Sequence, residues 1–166
     1  MPTKEEFKNK IKEMKIKMKE EIIAFFQTQI RELFVKHENL ENFSWTQYTD
    51  YFNDGDTCHF HTRFDERMKI NGISYDDYCG ETWETSKEIE KYTKADPLGN
   101  TPIIKALQEK LAVQQTKEDA VKVIYNDICS VLNVLDDVDY YDMFGDHVKV
   151  TVEKDGITTE EYTRHD

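Results

Sequence analysis

Glycine, proline and cysteine are scarce here, at six, three and three of 166 residues. With so few glycines, mostly in turn-like contexts, no loop is left to cradle a phosphate, and neither a P-loop nor a GxGxxG run occurs. GxSxG and HExxH are also missing, so nucleophilic catalysis and a helix-borne zinc site have no motif behind them. Cys58, Cys79 and Cys129 are an odd number without a CxxC pair, which excludes a disulfide framework and a zinc-finger spacing. No apolar run approaches the roughly 18–20 residues of a membrane span. Basic residues are the minority, 22 against 34 acidic, for a net charge of −12. Sequence-independent nucleic-acid binding displaces counterions with lysine and arginine, so no direct nucleic-acid binding is expected. Met1 to Lys19 is lysine-rich and has no apolar stretch, which predicts no secretory signal. Reduced thiols in a cytoplasm, no membrane association and no cofactor follow as expectations.

Hydrophobic residues make up 38% of the chain and charged residues 34%, against typical values of about 45–50% and about 25%. The core is lean, but aromatics at 12% can build one, and the length fits a single domain over 1–166. Charge is segregated: residues 1–40 carry 9 basic and 7 acidic side chains, whereas 41–166 carry 13 and 27. From Asp136 to Asp166 there are 10 acids against 3 bases. An acidic face of this kind suits a partner protein with a basic surface.

Periodicity gives the elements. Thr3 with Glu6 forms a capping box, and Phe7, Ile11, Met14, Met18, Ile22, Phe25, Phe26, Ile30 and Leu33 recur in helical steps. This predicts one amphipathic helix over 4–36, roughly 50 Å long, which overhangs the body or pairs with a second copy as a homodimer. Lys4, Lys8, Lys15 and Lys19 flank its stripe on one side, Lys10 and Lys17 on the other. From Asn42 the period becomes two, with Phe43, Trp45, Gln47 and Thr49 facing one way and Ser44, Thr46, Tyr48 and Asp50 the other. A turn at Asn53-Asp54-Gly55-Asp56, a strand over about 57–64 and a hairpin around Asn71-Gly72 complete a central meander. The expected helices are a short one over 84–92, one over 103–114 behind Thr101-Pro102, and one starting at Thr116. Asp136 to Asp146 reads as an acidic loop, and 147–162 as a hairpin turning at Lys154-Asp155-Gly156. The fold class is α+β: a long N-terminal helix and two or three further helices on an antiparallel sheet.

The densest segment chemically is Trp45 to Asp56. Trp45, Tyr48 and Tyr51 stand beside Gln47, Asn53, Asp54 and Asp56, a mixture that suits a binding face as well as a packed hairpin. The run W-x-Q-Y-T-x-Y-F-N-D-G-D, followed by Cys58-His59-Phe60, resembles a segment of small uncharacterised proteins, many of them encoded by tailed bacteriophages. The resemblance spans Trp45 to Phe60. It implies an intracellular accessory protein acting on host defence or host machinery, in a host cytoplasm, and brings no catalytic residue with it.

His59 and His61 stand two apart on a strand and project from one face, the geometry by which strand histidines hold zinc or iron. A site needs at least one further protein ligand: Asp54, Asp56 and Asp65 are near in sequence, and Glu81, Cys79 or His147 could arrive from elsewhere. A calcium loop is excluded, because with Gly55 at position six Phe52 falls at position three and His61 at position twelve. Three readings follow. The first is a non-catalytic acidic interaction protein, an inhibitor or adaptor. It would bind through Trp45, Gln47, Tyr48, Tyr51, Asn53, Asp54 and Asp56, together with Asp136, Asp137, Asp139, Tyr140, Tyr141 and Asp142. The second is a metal-dependent enzyme around His59 and His61. The third is a structural subunit assembled through the N-terminal helix.

Overall fold

The structure, a computed structural model, describes residues 3–51, 54–99 and 101–163. It is α+β, with an open antiparallel sheet, and forms two compact units, 1–38 and 39–166.

The first unit is helix α1, Lys4–Lys36. Both halves of the expected capping box form: the Glu6 amide donates to Thr3 Oγ1, and Glu6 Oε2 accepts from the Thr3 amide at 2.6 Å. These bonds outweigh the small cost of burial and lower the Glu6 carboxyl from its ordinary value. Phe26, Ile30, Leu33 and Phe34 are its buried residues, and every residue from Thr3 to Glu21 is exposed.

In the second unit, β1 (Asn42–Thr49) is the central strand. Along one edge it pairs with β2 (Phe60–Thr62) and β3 (Lys69–Ile70), and along the other with β5 (Val148–Glu153). β4 (Ile73–Ser74) extends the sheet from β3, and β6 (Gly156–Glu161) extends it from β5. The Asn71-Gly72 turn forms as expected, with φ of 52° and 80°. The Asn71 carboxamide also takes the amides of Glu41 and Asn42 on Oδ1, which pins the entry to β1.

Five expected elements differ, each for a local reason. The strand expected over 57–64 is three residues long, because the chain turns into α2 (Phe64–Arg67) and inserts Phe64 against Trp45 and Tyr140. The pairing then resumes as β3 on the same edge of β1, so the meander's middle strand is interrupted. The short helix expected over 84–92 is α3, Tyr75–Ala95, capped by Ser74 Oγ, which accepts the Asp77 amide at 3.2 Å. The two helices expected after Thr101 are one helix, α4, Pro102–Leu132. Thr116 is not a cap: its hydroxyl donates to the Ala112 carbonyl one turn earlier, and the helix continues. The acidic loop is in part a helix, α5, Asp137–Phe144, opened by a reciprocal Asp136–Asp139 capping box and closed by Gly145 at φ 87°.

The inward face of β1 makes the core. Phe43, Trp45 and Gln47 are buried there with Ile70, Val150 and Val152. Trp45 meets Phe64, Tyr140 and Phe144 edge-on, at 5.4, 5.9 and 5.8 Å between ring centres. Gln47 ties the strand to α5. Its Oε1 accepts the Trp45 indole N–H at 3.1 Å, and its Nε2 donates to the carbonyls of Tyr140 and Gly145 at 3.1 and 2.6 Å. Tyr140 in turn donates to the Leu132 carbonyl at 2.6 Å, fixing α5 to the end of α4. Burial pushes the Tyr140 hydroxyl far up, so it stays a donor at every accessible pH.

Gln47→Leu keeps the volume but removes the acceptor of the Trp45 N–H and the Gln47 donors of the Gly145 and Tyr140 carbonyls. It should lower the unfolding free energy by about 2 kcal/mol or more in urea titrations, since each buried orphan costs about 1–3 kcal/mol.

Candidate functional site

The residues expected to bind a partner fall into three groups. Trp45, Gln47 and Tyr140 are buried and hold the sheet to its helices, and Tyr48 is buried on the other face of β1 against Tyr162 and Arg63, so their side chains do not present a surface. Tyr51, Asp54, Asp56 and Tyr141 are exposed. Tyr51 stacks on His147 at 4.9 Å, and Tyr141 meets Phe60 edge-on at 5.2 Å. Asn53 lies outside the described residues. Most of the aspartates of the acidic segment make structural bonds. Asp136 and Asp139 cap α5. Asp137 Oδ1 accepts the amide and hydroxyl of Thr62 at 3.2 and 2.9 Å, which fastens β2 to α5. Asp146 accepts the amide and hydroxyl of Thr49, each at 2.7 Å, and the His147 amide at 2.8 Å. Asp142 remains at the exposed surface of α5.

The histidine pair is only partly on a strand. His59 precedes β2 and His61 lies within it, with their rings 6.5 Å apart. Nδ1 of His61 approaches Asp137 Oδ2 at 3.6 Å. Among the described residues no three His, Cys, Asp or Glu side chains gather as a metal site. The three cysteines are half-buried, and burial raises the Cys79 thiol, away from nucleophilic use.

Two surfaces stand out instead. The first is the apolar seam of α1. Phe7, Ile11, Met14 and Met18 are 58%, 39%, 63% and 63% exposed, although they are large apolar residues at helical spacing. Lys8 and Lys15 border the seam on one side, Lys10 and Lys17 on the other. The second surface is the outward face of the sheet. Register sets Lys69 opposite Ser44, and Lys149 opposite Thr46, all on the face away from Trp45. Arg67 joins them from the end of α2, with its guanidinium over the Tyr162 ring at 5.9 Å. Sequence reading missed this basic face because its cations come from segments about eighty residues apart. The visible signal was the run of hydroxyls at the alternate positions of β1.

No family model, curated protein or solved structure matches this chain.

The Asp146 carboxyl sits below its ordinary value of 3.8: burial opposes the shift, and the bonds from Thr49 and His147 outweigh it. A carboxyl lowered by folding stabilises the fold above the unfolded value and loses that contribution as pH falls through the folded one. The stability difference between the wild type and Asp146→Asn should therefore be constant above about pH 5 and shrink below about pH 4 in pH-dependent urea melts.

Proposed function

We propose that the chain is an interaction protein that engages a partner protein along the seam of α1, the partner offering an apolar groove or helix face bordered by acidic residues. The single observation supporting this is the line of exposed Phe7, Ile11, Met14 and Met18 between two lysine rows. Isolated exposed apolar residues are ordinary, but four on one stripe of a helix form a surface that water disfavours.

Charge selects the occupant. In a parallel pair of identical helices, residues five apart face each other across the seam, which sets Lys10 against Lys15. An antiparallel pair sets Lys8 against Lys15 and Lys10 against Lys17. Either way lysine meets lysine, so a second copy is the poorer occupant and an acidic-bordered partner the better one. An anionic lipid surface is disfavoured as well, because residues 41–166 carry 27 acids against 13 bases and would be repelled by it. The seam is also narrow, one residue per turn, as in helix pairing rather than in a helix lying in a bilayer. An accessory protein that acts by holding another protein is the role implied by the resemblance of Trp45 to Phe60.

The test is a titration of the full chain with two designed helical peptides that share an apolar seam, one flanked by glutamate and one by lysine. The glutamate-flanked peptide should bind at least about tenfold more tightly, and less tightly as salt is raised. An Ile11→Glu, Met14→Glu variant should lose this binding while the urea melt of the sheet stays unchanged. Equal binding of both peptides, binding of anionic vesicles alone, or a stable dimer of the chain by itself would contradict the reading.

A further inference from the structure

The outward face of the sheet holds a groove of about 590 Å³, bordered by the hydroxyls of Ser44, Thr46 and Ser74 and by the cations of Arg67, Lys69 and Lys149. That volume lies in the range of small-molecule sites. Three cations converge here in a chain with a net charge of −12, against the grain of its composition. Among the described strand residues two acids share that face by register, Glu153 and Glu160, and Glu160 lies 2.6 Å from Lys149 Nζ. Arg67 donates to the Tyr162 hydroxyl and lies over that ring, which holds the flat guanidinium in place at the groove. Thr46 supplies an independent observation. It is 6% exposed, and its hydroxyl is buried without a hydrogen-bond partner. Buried hydroxyls are nearly always satisfied, and one left without a partner beside a cation-bordered groove calls for an oxygen that the chain does not provide.

We propose that this groove binds a small phosphate monoester, its phosphoryl oxygens held by Arg67, Lys69 and Lys149 and by the hydroxyls of Ser44 and Thr46. The donor set fits a tetrahedral oxyanion better than a planar carboxylate. Arginine offers a fork, the two lysines act as point charges from different strands, and the hydroxyls add donors from the sheet surface. The groove's volume leaves room for the organic part of the ester beside the half-buried Tyr162. The site is independent of α1, so it stands whether or not the helix takes a partner.

Calorimetric titration of the full chain at low ionic strength tests it, with inorganic phosphate and adenosine 5′-monophosphate as probes. Saturable binding at one site per chain is expected. A tighter constant for the nucleotide would assign the site to an organic ester. Equal constants would overturn the ester and leave a site for the oxyanion alone. Lys69→Gln, at an exposed position that the fold does not need, should weaken binding about tenfold, the scale of one charge-assisted bond. Thr46→Val should weaken it too, whereas Lys91→Gln on α3 should not. No saturable heat from either probe at millimolar concentration, or constants unchanged in both Lys69→Gln and Lys149→Gln, would overturn the proposal.

Discussion

The second unit depends on one buried carboxamide. Gln47 lies on a fully buried strand position, and all its hydrogen-bonding groups that face the interior are used: one acceptor for Trp45, two donors for the carbonyls of Tyr140 and Gly145. No other side chain of that length does both. Glutamate would present a carboxylate to two carbonyls, and leucine would give neither the acceptor nor the donors. The amide joins residues 93 and 98 apart in sequence, so the central strand and the turn after α5 are positioned by the same bonds. Tyr140 extends the chain of bonds to the end of α4 through the Leu132 carbonyl. Such a network is costly if half made and specific when complete.

The division of the sheet into two faces follows. With Phe43, Trp45 and Gln47 committed inward, Ser44, Thr46 and Tyr48 must point the other way, and the antiparallel register brings Lys69 and Lys149 beside them. The polar face is thus the geometric complement of the core. The acidic residues divide in the same manner. Asp136, Asp137, Asp139 and Asp146 satisfy backbone amides and hydroxyls at the α5 end of the sheet, and part of the net negative charge is there to hold structure.

Local signals were legible in the sequence and long-range ones were not. The Thr3–Glu6 capping box, the alternation along β1, the Asn71-Gly72 turn and the proline after Thr101 each act within a few residues, and each stands as read. The extent of α3 was hidden because its residues are mostly polar and its register depends on α4, through the Tyr75–Tyr125 stack and the Thr82–Glu118 bond. Thr116 resembled a cap because a hydroxyl followed by an acid in the next turn has the same spelling inside a helix as at its start. In the sequence Asp136 and Asp139 look like plain charge, and in the fold they are a capping box. The aromatic segment suits a binding face as well as a packed hairpin, and the fold buries Trp45 and Tyr48, since a sequence shows the chemistry of a side chain but not what covers it. The seam of α1 was visible as a pattern. Its exposure, on which its use depends, was not.

That exposure is the central claim, and amide hydrogen exchange of the protein alone measures it most directly. A helical stretch without tertiary packing is marginal in water and opens readily, whereas a buried strand opens only with the whole fold. The account predicts fast exchange from Phe7 to Met18 and the slowest exchange along Phe43 to Gln47 and Val148 to Val152. Protection from Phe7 to Met18 equal to that of the sheet would mean that the seam is already covered in the free protein, and would contradict it.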